Sequence, residues 1–222
     1  MSTSPRIVLL HATPVAMEPV HAAFGRLWPE AELVNLLDDS LSVDRTREPE
    51  LKAPMIERFV AFGKYGHTIG ADAILVTCSA FGPAIEQLAD MLPIPVLKPN
   101  EAMFKAALEK GSNIAMIATF GPSVATMEAE FEEYVAKTGS GATLTSILVE
   151  PAMTALRRGD AETHNRLISE RAGDLSGFDT IMLAHFSTAR AEPVLSRQLD
   201  IPVFSPPDAA VTELRDRVVG MG

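Results

Sequence analysis

The 222 residues contain only one cysteine, Cys78. A lone thiol makes no internal disulfide and cannot supply a thiolate zinc cluster. Basic residues are in deficit: 19 Lys and Arg stand against 29 Asp and Glu, a net charge of -10. Without a basic surplus to neutralise phosphates, nucleic acid is excluded as a partner. Small anions remain open as ligands, provided backbone N–H groups or a few placed donors hold them locally. No apolar run approaches the ~20 residues of a bilayer span. The opening MSTSPRIVLLHATP lacks the long apolar segment and cleavage site of a signal peptide. A soluble, cytoplasmic protein is the expectation. The glycines form neither a dinucleotide fingerprint nor a P-loop. No His/Asp/Glu cluster has metal-ligand spacing, so neither metal nor cofactor is expected. Asp38 and Asp39 read as a solvated turn, and the scattered methionines as core filler.

What is present is alternation. Short runs rich in Ile, Val and Leu occur at Arg6–His11, Glu32–Leu37, Ala73–Thr77, Ile94–Leu97, Ile114–Thr119, Leu144–Val149, Thr180–Ala184 and Pro202–Phe204. Most are apolar throughout, as strands buried on both faces of a parallel sheet should be. Helical patterns separate them, at Ala16–Trp28, Pro49–Gly70, Pro83–Leu92, Ala102–Lys110, Pro122–Lys137, Ala161–Leu175, Ala189–Leu199 and Ala209–Val219. This order predicts an α/β fold with parallel sheets.

The chain also repeats itself. ADAILVTCSAFGPAIEQLADMLPIPVLKPNEAMF, from Ala71, aligns without a gap on FDTIMLAHFSTARAEPVLSRQLDIPVFSPPDAAV, from Phe178, at an offset of 107. Asp72 meets Asp179, Ile74 meets Ile181, and Ile94-Pro95-Val96 meets Ile201-Pro202-Val203. The same offset pairs Ile7 with Ile114 and Phe24 with Phe131. Two similar, pseudosymmetric Rossmann-like or flavodoxin-like halves are expected, residues 1–97 with 206–222 and residues 98–205. The last helix would cross back to the first half. Ligands of such sheets bind beyond the carboxyl ends of the strands, which puts the site in a cleft between the halves.

The repeat maps Cys78 onto His185, each directly after a strand and before a helix. Gly82 and Pro83 suit a helix start, so the thiol would sit near free N–H groups and a positive helix end, an environment that lowers a cysteine pKa. The alternative is an inert core cysteine. His185 reads as an acid/base or hydrogen-bonding partner facing Cys78, or as a strand-end histidine tied to the backbone. The loops after the other two central strands add Thr13, Pro14, Thr119, Phe120 and Ser123, with Ser79, Ala80, Phe81, Phe186 and Ser187 beside the thiol and imidazole. Thr119 and Ser123 also suit simple helix caps. His11 has nothing to mark it beyond its strand end, His67 reads as a helix-end residue, and His164, in a polar helix, as exposed.

With these segments in view, the sequence resembles the aspartate/glutamate racemase superfamily, which includes aspartate, glutamate and hydantoin racemases, maleate isomerase and arylmalonate decarboxylase. The resemblance rests on Ala71-Asp72-Ala73-Ile74-Leu75-Val76-Thr77-Cys78-Ser79, on Ile114 to Thr119, and on Asp179 to Ala184. It implies two pseudosymmetric α/β halves, no cofactor, a small carboxylate substrate and a homodimer. In the family's racemases one cysteine from each half flanks the reacting carbon. Cys78 matches the first; His185 stands where the second is expected. A two-thiol racemase is thereby excluded. A mixed Cys/His racemase, an isomerase in which Cys78 attacks carbon, and a decarboxylase or lyase with one proton donor remain, as does a non-catalytic small-anion binder. Arylmalonate decarboxylases also use one thiol, in the opposite half.

Overall fold

A computed structural model describes residues 4–48 and 50–220. Eight strands are present among them: β1 (Arg6–His11), β2 (Glu32–Leu37), β3 (Ala73–Val76), β4 (Val96–Leu97), β5 (Asn113–Ala118), β6 (Thr143–Leu148), β7 (Thr180–Leu183) and β8 (Val203–Phe204). They form two parallel sheets, ordered β2-β1-β3-β4 and β6-β5-β7-β8. The helices are α1 (Met17–Leu27), α2 (Ser40–Arg47), α3 (Ala53–Thr68), α4 (Gly82–Met91), α5 (Glu101–Leu108), α6 (Gly121–Thr138), α7 (Glu150–Arg157), α8 (Ala161–Ser169), α9 (Glu192–Gln198) and α10 (Pro206–Val219). The expected α/β fold with two parallel sheets is therefore observed. No helix among the described residues is long and apolar enough to cross a membrane.

The central strands explain the apolar runs. β3 and β7 are buried at every residue, and β1 and β5 at all but their first, because helices cover both faces of each sheet. The repeated aspartates do the same work twice. Asp72 accepts the Arg6 N–H at 2.7 Å, and Asp179 accepts the Ser112 and Asn113 N–H groups at 2.9 Å. Each thereby satisfies the backbone where the first strand of its half begins. The helices after β4 and β8 change sheets. Met103, Phe104 and Ala107 of α5 pack with Met116 and Phe131 of the second half. Ala210, Val211 and Leu214 of α10 pack with Ile7, Phe24 and Trp28 of the first. Arg26 of α1 grips Asp208 of α10 with two hydrogen bonds.

Several expectations change. α2 and α7, which follow β2 and β6, have no counterpart in the pattern. The stretch expected as Ala161–Leu175 is helical only to Ser169, then continues as a 3₁₀ turn at Ala172–Leu175. The helix expected from Ala189 starts at Glu192, after a 3₁₀ turn at Phe186–Ala191. The helix expected from Pro49 starts at Ala53; Pro49 lies outside the described residues. Asp38 is no solvated acid: it accepts from Arg58 Nε at 3.0 Å and from the Ser40 hydroxyl at 2.7 Å, fastening α2 to α3. His164 is fully buried rather than exposed, because α8 packs against the turn after β7, with Nδ1 of the imidazole donating to Asn165 Oδ1 at 2.9 Å.

Candidate active site

In each sheet the chain leaves its first strand toward one edge and returns on the other side, so the switch of direction falls between β1 and β3, and between β5 and β7. Parallel sheets open a crevice there, beyond the carboxyl ends of the strands. Cys78 follows β3 and His185 follows β7, and both line one small cavity. The first half contributes Thr13, Ala16, Ser42 and Thr77 beside the thiol. The second contributes Phe120, Met153, Arg157, Phe186 and Ser187 beside the imidazole. The cavity has about 30 Å³ of room for solvent, enough for one or two waters.

Of the other residues singled out by sequence, Pro14 opens the 3₁₀ turn Pro14–Ala16. Ser79 is buried, and its hydroxyl has no hydrogen-bond partner among the described residues. The Ala80 N–H bonds the Cys78 sulfur. Phe81 is core, its ring stacked on Phe59 at 5.0 Å between centroids. Thr119 holds His185 rather than the cavity. Thr77, Ser42, Ala16, Met153 and Arg157 were not anticipated.

The expected depressed thiol pKa is overturned. Burial pushes Cys78 up to about 11, against the opposing pull of the Ala80 N–H, Arg45 and Arg157. The residue keeps some accessible surface, but that surface faces a cavity with room for only about 30 Å³ of solvent, so desolvation outweighs the helix end and both guanidinium groups. Here Cys78 is a protonated thiol.

His185 is neutral for the same reason, burial holding its pKa down to about 3 with a smaller push from His164. Its proton can be assigned. Ser123 Oγ donates to Phe120 O at 2.8 Å and therefore accepts at 2.6 Å from Nε2–H of His185. Nδ1 is then the bare nitrogen, with the Thr119 N–H and hydroxyl at 3.4 and 3.3 Å as long, weak donors. Thr188 fixes the backbone behind the ring, accepting the His185 N–H at 3.0 Å and donating to its carbonyl at 2.6 Å.

A second histidine reaches Thr77, the residue before the thiol. His11 is 1% exposed, and burial lowers its pKa to about 4. Its Nδ1 is 2.9 Å from Thr77 Oγ1, and its Nε2 is 2.9 Å from Asn35 Oδ1, which also meets His21 Nε2 at 2.8 Å.

Two arginines give the site its field. Arg45 of α2 is 5% exposed. Its partners are the Ala80 carbonyl at 3.3 Å and the Glu48 carbonyl at 2.5 Å. The nearby acids are committed elsewhere: Asp44 to Arg58 and Arg47, Glu48 to Lys52. Arg157 of α7 lies over the Phe120 ring, 5.6 Å from its centroid. Neither arginine has a carboxylate partner among the described residues. Arg45 is a buried charge without a counter-ion, which is costly, and Arg157, exposed at the cavity, adds a second cation, so the field of the pair is suited to an anionic ligand.

The buried histidines make stability depend on pH. His11 and His185 have folded pKa values of about 4 and about 3, below the ordinary 6.5, so the unfolded chain takes up protons first as pH falls, and their contributions are lost from about pH 6.5 down to about 4 and about 3 respectively. Glu130 opposes them. Desolvation raises it to about 7, so it stabilises the fold increasingly from pH 7 down to its unfolded value. At pH 5 each of the three amounts to roughly 2 kcal/mol. Together these three give a net loss of roughly 2 kcal/mol between pH 7 and 5, readable in urea titrations; burial also holds His164 low, which adds to the loss, and raises Glu192, which opposes it. Glu130→Gln should remove the counterweight and about double that loss.

The family profile described as Asp/Glu/hydantoin racemase matches residues 10–214. A sequence search of curated proteins returns no match. Among solved structures, a glutamate racemase from Bacillus anthracis is 17% identical, with a TM-score of 0.77 over 99% of this chain and 84% of that one. An allantoin racemase from Klebsiella pneumoniae is 18% identical, with a TM-score of 0.66 over 99% and 89%. A glycine-to-cysteine variant of arylmalonate decarboxylase, in a sulfate-associated form, is 18% identical, with a TM-score of 0.67 over 98% and 95%. At these identities the likenesses establish the shared fold. With the profile covering nearly the whole sequence, the chain belongs to the Asp/Glu/hydantoin racemase family.

Proposed function

We infer that this protein is a cofactor-independent racemase or isomerase that moves a proton at the carbon beside a carboxylate. Cys78 is its reacting base or nucleophile, and His185 the group opposite. The observation that carries this reading is that the lone thiol and the imidazole at its equivalent position line one cavity, near two guanidinium groups that have no counter-ion among the described residues. The carboxylate is held by Arg157, with Arg45 behind it and the hydroxyls of Thr13, Ser79 and Ser187 as further donors; these donors also stabilise enolate-like charge. Phe120, Met153 and Phe186 keep water from the reacting carbon. A cavity for one or two waters does not admit a substrate, so the halves, 1–97 with 206–222 and 98–205, part to load it. The family resemblance supports a homodimer, and the cytoplasm is its proposed location.

A specific observation favours a second reading. The Cys78 thiol is protonated, and the His185 Nε2–H is committed to Ser123. That leaves one proton donor on one side, which suits decarboxylation: the carbon–carboxylate bond breaks, carbon dioxide leaves, the carbanion takes the thiol proton, and solvent restores it. Proton NMR in deuterated water with a panel of small carboxylates tests both readings. Deuterium gain with isomer exchange supports the first, and carbon dioxide release the second. Binding without either reduces the protein to an anion binder and overturns the catalytic reading.

A further inference from the structure

The halves share two contacts that the repeat makes equivalent: α6 packs on the turn Ser79–Phe81, and α1 on the turn Phe186–Ala191. The offset of 107 lets them be compared position by position. On the α1 side stand Ala23, Ala189 and Pro207, all apolar, with Ala23 and Pro207 buried. On the α6 side the same positions hold Glu130, Gly82 and Asn100. The carboxyl fits there because Gly82 has no side chain: a Cβ would stand 2.6 Å from Glu130 Oε1 and 3.0 Å from Thr126 Cγ2. A contact made with two alanines elsewhere in the same chain does not need a buried acid to hold it.

The polar trio is also short of a hydrogen. Asn100, fully buried in the crossing between β4 and α5, donates its amide to Glu130 Oε2 at 3.1 Å. The other oxygen of each group, Glu130 Oε1 and Asn100 Oδ1, is buried with no hydrogen-bond partner among the described residues. Two unmatched acceptors on neighbouring groups are costly. A proton on the carboxyl turns one of them into a donor and removes the desolvated charge. The charged neighbours do not supply that partner. Lys98, after β4, pulls toward ionisation but bonds Glu86 of α4, while Glu86 and Glu133 of α6 push the other way. Glu101 of α5 and Tyr134 and Lys137 of α6 line the adjoining cavity, and the turn Ser79–Phe81 carries no ionisable side chain.

We propose that Glu130 is a proton-operated latch between the halves: neutral, it seats on Gly82 with Asn100 beside it and holds them together; ionised, it lets them part. This rests on the parting of the halves inferred above and sets a condition on it. The sign follows from burial. With the halves together the carboxyl titrates at about 7, and once they part, water returns it toward the ordinary 4.5. Closure therefore takes up a proton. Opening becomes easier as pH rises from about 4.5 to 7 and then levels off. Global unfolding moves the opposite way, becoming harder from pH 5 to 7 as the buried histidines regain their contribution.

The test is hydrogen–deuterium exchange of the whole chain at pH 5 to 7.5, corrected for the intrinsic rate at each pH and read at the amides of Ser79, Ala80, Phe81, Gly82 and Ala84. Their protection in wild type should fall at least about tenfold between pH 5 and 7. Glu130→Gln, an amide that stays neutral and can donate to Asn100 Oδ1, should abolish that fall. So should Glu130→Ala combined with Gly82→Ala, which copies the α1 contact. An equal fall in wild type and Glu130→Gln, or no fall in wild type, overturns the latch. The parting of the halves fails by a different result, taking the latch with it: these amides would exchange no faster than those of β1, in every variant and at every pH.

Discussion

Cys78→Ala should lower turnover by about 10³-fold or more, since removal of a group that bonds or exchanges protons with the reacting atom leaves only binding and polar stabilisation by its surroundings. The fold should survive. The sulfur packs at the edge of the first half's core, beside a cavity that already holds free space, and its one backbone donor, the Ala80 N–H, lies in a turn held by Phe81 stacked on Phe59. Thermal unfolding within a few degrees of wild type, by ~1 kcal/mol reasoning, separates this from collapse. Cys78→Ser should be nearly as inactive, because a hydroxyl does not ionise where even the thiol is pushed up to about 11. Alkylation of the lone thiol should be slow at pH 7 and climb toward that value. Undiminished turnover in Cys78→Ala would refute its role.

Arg157→Met should raise KM by about 10²-fold while leaving stability within ~1 kcal/mol. Losing one charge-assisted partner of a desolvated carboxylate costs about 2–5 kcal/mol, whereas the side chain itself is exposed and its visible contact is the Phe120 ring, worth about 0.5–1 kcal/mol at such a site. Arg45→Met separates field from contact. Arg45 does not line the cavity, yet acts on Cys78, so its loss should push the thiol still higher and shift the alkylation profile to higher pH, with a smaller effect on KM. Steady-state kinetics and thiol titration check these outcomes. Equal KM in wild type and Arg157→Met would remove the arginine from substrate binding.

The thiol, the imidazole and the cleft were legible because the repeat keeps its offset where the site is built. β1 and β5, β3 and β7, and β4 and β8 start at Arg6 and Asn113, Ala73 and Thr180, Val96 and Val203, each 107 apart. The edge strands β2 and β6 break the rule: Glu32 and Thr143 differ by 111, because α6 is longer than α1. After them come α2 and α7, the two helices the pattern missed and the two that carry Arg45 and Arg157. α2 buries little beyond Leu41, Ser42 and Arg45, and leaves Val43 exposed, so it has no apolar stripe to detect. α7 opens on Pro151, which reads as a break although proline is well placed in a first turn. The thiol's pKa was misjudged because helix ends are visible in sequence and the depth of a closed cavity is not. His11 was passed over because its partners, Thr77 and Asn35, come from two other strands.

Under the proposed function, that shared geometry would let a symmetric scaffold support unsymmetric chemistry. Two equivalent strand ends deliver a thiol on one side and an imidazole on the other, and each is held neutral by burial. Binding of an anion is then the event that changes the local balance of charge, since the two guanidinium groups have no other counter-ion among the described residues.

A crystal structure with a small carboxylate at saturating concentration tests this arrangement most directly. The bound molecule should lie between Cys78 and His185 in the opened cleft, its carboxylate within hydrogen-bonding distance of Arg157 and the carbon next to that carboxylate facing the sulfur. An anion bound elsewhere, with the thiol still enclosed and Arg157 still on Phe120, would contradict it.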